Sequence, residues 1–505
     1  MQMHIPLLSI IVFLPLIGSL FVLGSRNRTT MHYAALVTTL VTFAFSLVPI
    51  FYFNSELAGF QLEEYVPWIP AWGISYHLGI DGLSLFLLPL TGFLSVLAVL
   101  VSWKRIAVKE RAYFFSFLIL ETGMLGVFVS LDTILFYVFW EAMLIPMFLI
   151  IGIWGSANRR YAAIKFLIYT MAGSIFMLVA MIVMAIYTKQ YGGHLSFDIT
   201  VWTQLKLPEN IQYWLFAAFF IAFAIKVPIF PFHTWLPDAH VEAPTAGSVL
   251  LAGVLLKMGV YGILRLCFPL FPEAVRYFTP LIMILGLIGV IYAAFVAFAQ
   301  TDLKKLVAYS SVSHMGLIVI GIFAANATGI KGGILQMINH GLSTGALFIL
   351  VGALYERTGT RNMELMGGLA RRVPVLAAFF MIVTLSSIGL PGLNGFIGEF
   401  FLLLAAFQFQ WWLGALSATT MVLGAIYMLW MYQRVMFEKS RAAAEKTFGD
   451  FSRRENIVMV PVIIMFLFIG FYPSFFLDRM NKISSTLLAD MNRGAIVHTI
   501  SAGEK

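Results

Sequence analysis

Six ionisable side chains interrupt apolar runs: Glu141 in FYVFWEAMLIPM, Lys226 in FAIKVPIFPFHTWLPDAH, Lys257 in LAGVLLKMGVYG, His314 in YSSVSHMG, His340 in MINHGLS and Glu399 in PGLNGFIGEFFLL. Carboxylates, amines and imidazoles together are the groups that take up, hold and hand on protons. A lysine out of water is driven toward its neutral form and an adjacent carboxylate restores its charge, so moving the carboxylate switches its hold on a proton. Imidazoles between such groups relay protons near neutral pH. The plainer reading is local structure: a neutral imidazole bonded to a carbonyl is tolerable, and for the two histidines it stands equally open. For the four charged residues it is weaker, because a charge at the bilayer centre costs at least ~2.5 to 3.5 kcal/mol. The series Glu, Lys, Lys, His, His, Glu thus suggests a lateral proton path.

The elements that must carry these groups are membrane helices. Of 505 residues, 60% are hydrophobic and 11% charged, and the mean hydropathy is +0.91, which places the chain in the membrane class. Apolar runs long enough to cross a hydrocarbon core recur from end to end. The expected architecture is all-α and polytopic, with about fourteen spans over residues 5-23, 32-53, 80-103, 112-130, 132-152, 163-187, 213-240, 247-267, 276-298, 304-323, 331-355, 373-406, 412-437 and 457-477. At 1.5 Å per residue, Glu141 and Lys257 fall near mid-depth. Loops after odd-numbered spans hold 21 of the 32 Lys and Arg, the bias expected of the cytoplasmic side, and both termini then face outward. The net charge of +8 reflects this bias, so no nucleic-acid partner is expected.

The first run, IPLLSIIVFLPLIGSLFVLG, is followed rather than preceded by its positive charges, Arg26 and Arg28, and reads as a retained helix rather than a signal peptide. A single cysteine, Cys267, excludes an internal disulfide, a four-cysteine zinc site or a thiolate-bound iron-sulfur cluster made by this chain alone. There is no dinucleotide or phosphate-loop fingerprint, no catalytic triad and no metal-ligand spacing. Redox cofactors are therefore expected on other subunits.

A shift of 170 residues lays Asp132 on Asp302 and AIKFLIYTMAGSIFML over GILQMINHGLSTGALF. With the seventh and twelfth spans both broken by Pro and Gly, this suggests two inverted five-helix repeats. Pro228 and Pro231, and Pro391, Gly392, Asn394 and Gly395, free backbone carbonyls beside Lys226 and Glu399, which points to hydrated gaps there. Asp132 reads as a helix cap. His233, Asp238, His240 and Glu242 could form a proton entrance, although a solvated connection is the simpler reading. LEEYVPWIP and WGISYHLGIDG read as an ordered outer hairpin, and QRVMFEKSRAAAEKTFGDFSRRE as an amphipathic cytoplasmic segment able to dock a partner or lie on lipid.

The motifs LDTILFYVFWEAMLIPMFLIIGIWG, AFAIKVPIFPFHTWLPDAHVEAPTAGSVLLAGVLLKMGVYG, DLKKLVAYSSVSHMG and GLPGLNGFIGEF resemble those of the antiporter-like membrane subunits of respiratory complex I, the proton-pumping NADH:quinone oxidoreductase. The resemblance spans essentially the whole chain. It implies N-terminal helices within 1-111, a first repeat of helices four to eight over 112-267, an inverted second repeat of helices nine to thirteen over 268-437, and a final helix and tail over 438-505. It also implies that Glu141 pairs with Lys226, that Lys257 and the histidines His314 and His340 connect onward, and that Glu399 ends the path. The resemblance implies that glutamate at position 399 sets this chain apart from the sister subunits L and N, which typically carry lysine there. Other implied partners are the remaining membrane-arm subunits and the lipid of a bacterial inner membrane. NADH, FMN, iron-sulfur clusters and quinone are implied to be bound by other subunits. Related subunits of multi-subunit cation/proton antiporters and membrane-bound hydrogenases share these motifs.

Overall fold

The computed structural model describes residues 5–439 and 448–502. They form a helical bundle with one small hairpin. The first helices are α1 (Leu7–Gly24) and α2 (Arg28–Tyr52), followed by strands β1 (Gln61–Ile69) and β2 (Ile74–Ile80). Next come α3 (Leu87–Ser102) and α4 (Glu110–Val129), α5 (Thr133–Trp154), α6 (Arg159–Gly192), α7 (Glu209–Lys226) and α8 (Trp235–Glu242). The second half holds α9 (Thr245–Leu270), α10 (Pro272–Phe298), α11 (Leu303–Phe323), α12 (Ala327–Thr358), α13 (Pro374–Ser387) and α14 (Asn394–Phe409). The chain ends with α15 (Trp411–Met436), α16 (Arg453–Phe471) and α17 (Asn481–Ala502).

Eleven of these helices are long and apolar enough to cross a membrane; α3, α13 and α14 are apolar but shorter. Each of the expected spans coincides with a helix or a broken pair. The two expected breaks separate α7 from α8 and α13 from α14. Proline accounts for a lesser break at Met143 in α5, because Pro146 leaves the Ala142 carbonyl without its helical donor.

Burial sorts the helices into layers. The apolar windows of α9 and α12 are 100% buried and that of α11 94%, against 28% for α2 and α16. The centre is therefore α9, α11 and α12 with α4 beside them. In a bilayer such close approach depends on small residues rather than on apolar burial, and α12 carries Gly332, Gly333, Gly341, Gly345 and Gly352. The central helix α9 is not uniform: π-helical turns at Leu251–Leu255 and Ile263–Cys267 bracket the α-helical segment Leu256–Gly262.

Two helix starts are built alike. Asp132 accepts hydrogen bonds from the Ile134 and Leu135 amides at the head of α5, and Asp302 from the Lys304 and Lys305 amides at the head of α11. Asp132 bridges to Asp198, and Asp302 to Asn362. The Asp132 end adjoins the hairpin, since the Leu131 amide donates to the His77 carbonyl. The far end of α5 meets Glu242, which accepts from the Asn158 amide, and Glu242 lines the same recess as Asp302 and Arg361. The two caps thus lie at opposite ends of the bundle.

The hairpin pairs β1 and β2 antiparallel. It is clasped to the bundle by His77, whose Nδ1 meets Asp198 at 2.6 Å and whose Nε2 meets Glu63 at 3.0 Å. Residues 440–447 of the expected amphipathic segment lie outside those described. Beyond them Arg357 at the end of α12 donates to the Gly449 and Asp450 carbonyls and to Glu455.

Candidate functional site

Lys226 is the last residue of α7, where the chain breaks before Pro228. Its side chain is 1% exposed and its ammonium makes no hydrogen bond. What surrounds it is aromatic, the Trp140 ring lying 5.0 Å and the Phe166 ring 5.8 Å from Nζ. A desolvated cation over a ring face gains about 2 kcal/mol, less than a direct carboxylate contact would supply. Glu141, next to Trp140 on the Met143 break of α5, is near enough to act on Lys226 electrostatically. The two form no direct ion pair, so the implied pairing is one of charges acting at a distance.

Lys257 sits in the α-helical segment between the two π turns of α9, completely buried. A π turn displaces the usual hydrogen-bond register and frees a carbonyl, and here the Ala252 carbonyl of the first turn accepts from Nζ. The ammonium also donates to His340 Nδ1 on α12 at 2.7 Å, a charge-assisted bond. His340 Nε2 has no partner. Its ring centroid is 6.0 Å from that of His314 on α11. His314 Nδ1 in turn lies 3.0 Å from Glu399 Oε1 on α14, at an angle too poor for a hydrogen bond.

The His314, His340 and Glu399 side chains line one small polar cavity with Ser310, Gln336, Asn339, Ser343 and Ser386, with room for about one water. Glu399 accepts from Gln336 Nε2 at 3.3 Å through Oε1 and leaves Oε2 free. Gly389, with φ +73°, places its backbone against that oxygen: a Cβ there would be 2.7 Å from Oε2. The broken stretch between α13 and α14 is held to α12, with Asn339 Nδ2 donating to the Asn394 carbonyl at 2.7 Å and Ser386 Oγ to Asn394 Oδ1 at 2.6 Å.

Four of the six expected residues, Lys257, His340, His314 and Glu399, therefore follow one another across the central helices. Glu141 and Lys226 form a separate pair to one side, which neither a hydrogen bond nor an ion pair joins to Lys257. The connection after the seventh span is a correction to the expected solvated loop. It is helix α8, with Pro237 inside its first turn, and His240 within it is fully buried, stacked on Phe348 at 4.5 Å with neither ring nitrogen bonded. His233 is buried against Phe230 and Tyr292. Asp238 binds Lys165 Nζ at 2.7 Å beside the recess of Asn158, Glu242 and Asp302.

Two buried features were missed in the sequence. Glu121 in the middle of α4 is wholly buried, and the same test of charge at mid-span finds it in LILETGML. Arg265 in the second π turn makes a bidentate pair with Asp81 at 2.6 and 2.7 Å and meets Tyr261 Oη at 3.1 Å. No pattern in the sequence marks that pair, because its partners are 184 residues apart. Among the described residues no group of three His, Cys, Asp or Glu is arranged to hold a metal ion.

Residues 130–424 match the family model described as NADH:quinone oxidoreductase/Mrp antiporter, transmembrane. NADH-quinone oxidoreductase subunit M of Rhodobacter capsulatus is 45% identical over 488 residues, covering 94% of this chain and 94% of that protein. A chain of the respiratory complex I of Thermus thermophilus with bound NADH superimposes with a TM-score of 0.87 at 31% identity, covering 96% of this chain and 99% of the other. A chain of the Mrp complex of Dietzia sp. DQ12-45-1b shares the fold, with a TM-score of 0.84 at 19% identity and coverages of 96% and 98%.

Proposed function

Because the chain belongs to the NADH:quinone oxidoreductase/Mrp antiporter family of membrane subunits, we propose that it is a proton-translocating membrane-arm subunit of an NADH:quinone oxidoreductase. Quinone reduction elsewhere in the complex drives protons across the membrane through its buried Glu, Lys and His side chains. The observation that carries this reading is the line Lys257, His340, His314, Glu399, with separations of 2.7 Å, 6.0 Å between rings, and 3.0 Å. The two links without a hydrogen bond, between the imidazoles and from His314 to Glu399, adjoin the polar cavity, which has room for about one water.

Each residue has a role in the cycle. Lys226 holds a proton while Glu141 faces it, and moving Glu141 away releases that proton toward Lys257. The Lys257 ammonium passes a proton to His340 Nδ1, His340 gives one up from Nε2, and His314 delivers it to Glu399. Return of Glu141 favours reloading of Lys226. The matched caps at Asp132 and Asp302, at opposite ends of the bundle, support two inverted repeats over 112-267 and 268-437. The partners are the other membrane-arm subunits, including sisters of the L and N types, in a bacterial inner membrane with both chain termini on the periplasmic side. NADH, FMN, iron-sulfur clusters and quinone belong to those other subunits.

Substituting Lys226 or Glu141 with Ala in the assembled complex and measuring proton pumping coupled to quinone reduction tests this reading; unimpaired pumping refutes it. The fold shared with the Mrp complex favours a second reading, a subunit of a cation/proton antiporter. Copurification of this chain with flavin and iron-sulfur proteins separates the two.

A further inference from the structure

Glu121 has no place in the path just described. It is fully buried in α4, and neither of its carboxylate oxygens is hydrogen bonded. The Ser95 hydroxyl of α3 lies beside it and is also buried without a bonded partner. A carboxyl group that only filled space here would leave a polar group unpaired in a dry site, a cost that an apolar residue avoids.

The depth of Glu121 follows from helix register. Phe128 accepts a hydrogen bond from Tyr261 Oη at 3.1 Å, and the two rings meet at 5.3 Å. Helices α4 and α9 both end beside the hairpin, α4 through Ser130 against Leu78 and α9 through Arg265 on Asp81, so they run in the same direction. Seven residues earlier is about 10.5 Å along α4 and within about 20° of the same face. Glu121 therefore stands on the face that Phe128 presents to α9, toward its first π turn. That turn supplies the Ala252 carbonyl to Lys257. Ser95 follows Leu94, whose side chain fills the space against Gly253 of the same turn.

Resting on the proton-translocating reading, we infer that Glu121 is a proton-storing partner of Lys257, exchanging a proton with it by way of the Ser95 hydroxyl. A proton leaves the Lys257 ammonium, the hydroxyl takes it up while releasing its own, and the Glu121 carboxylate accepts the released proton. An oppositely charged pair becomes a neutral pair, and no electron moves. Storage on Glu121 leaves Lys257 free to reload before His340 has emptied.

The test uses the assembled complex in sealed membrane vesicles with E121Q, E121D and K257A. E121Q keeps the shape of the side chain and cannot hold the proton, so proton translocation per quinone reduced falls roughly tenfold or more, and E121D restores most of it. In the infrared spectrum a carboxylic acid C=O band present in the parent is missing in E121Q. Parental pumping by E121Q alongside loss in K257A overturns the role of Glu121 and leaves the path intact. Failure of E121D to restore pumping, with an unchanged carboxylic band in E121Q, also overturns it. Parental pumping by K257A removes the translocation reading itself.

Discussion

Replacing Asp81 with Asn tests how the helix that carries Lys257 is anchored. The Arg265 and Asp81 side chains are 5% and 7% exposed and share two bonds of 2.6 and 2.7 Å. The substitution removes the counter-charge and one of the two acceptor oxygens, leaving the buried guanidinium with the amide oxygen and Tyr261 Oη, because the aromatic faces of Phe60 and Tyr261 beside it, 4.9 and 5.1 Å away, accept no full counter-charge. Removing one partner of a buried pair costs about 3 to 5 kcal/mol, or roughly 150- to 5,000-fold in the folding equilibrium at 1.36 kcal/mol per tenfold. Removing both charges, in D81L/R265M, discards the desolvation cost along with the attraction and returns stability to near or above the parent. Pulse proteolysis of this chain in the solubilised complex across a denaturant series reads the loss. A D81N chain that resists cleavage like the parent, or a double variant weaker than the single one, refutes the anchoring role of the pair.

Other outcomes follow from the same geometry. Gly389→Ala puts a methyl group 2.7 Å from Glu399 Oε2 at a φ of +73° and adds about 1 to 2 kcal/mol of left-handed backbone strain; proton pumping should drop while the chain still assembles, as judged by native gels. Trp140→Ala removes the ring 5.0 Å from Lys226 Nζ and weakens the hold on the ammonium by about 2- to 30-fold, lowering pumping in vesicles, whereas Trp140→Phe keeps most of it. The hairpin clasp should depend on pH. Burial pushes the His77 imidazole down, but its bonds to Asp198 and Glu63 outweigh this and hold it above its ordinary 6.5. Burial raises Asp198, but His77 and Thr200 outweigh it and hold the carboxyl below 3.8. The His77 contribution is complete below pH 6.5 and fades as pH rises through the folded-state value; that of Asp198 is complete above pH 3.8 and fades as pH falls through its own. Hydrogen exchange of the β2 amides, corrected for intrinsic rates, should be slowest between those limits, and flat protection across them would contradict the clasp.

Much of the fold was legible because a membrane helix announces itself in one dimension. Every expected span falls on a helix, and both predicted breaks are where Pro and Gly stand. The six candidate residues are singled out for the same reason, since a charge inside an apolar run is too costly to persist without a partner or a task. What escaped notice depends on contacts between distant segments. Asp81 reads as part of the outer hairpin and Arg265 as a charge inside a span, and only folding joins them. His240 looked solvent-bound because PDAHVEAP is locally polar, yet a helix carries it inward beneath Phe348. The distance between Glu141 and Lys226 depends on how the α5 and α7 breaks are aimed, which neither segment specifies alone.

The paired π turns of α9 have a mechanical consequence. A π turn spreads an extra residue over one turn of helix, and passing that residue from one turn to the other rotates the segment between them by about 100°, the angle one residue subtends. Leu256–Gly262 is such a segment, and its far end is fastened by Arg265 to Asp81. The direction in which the Lys257 ammonium faces is thereby set by the two π turns rather than by the ends of α9.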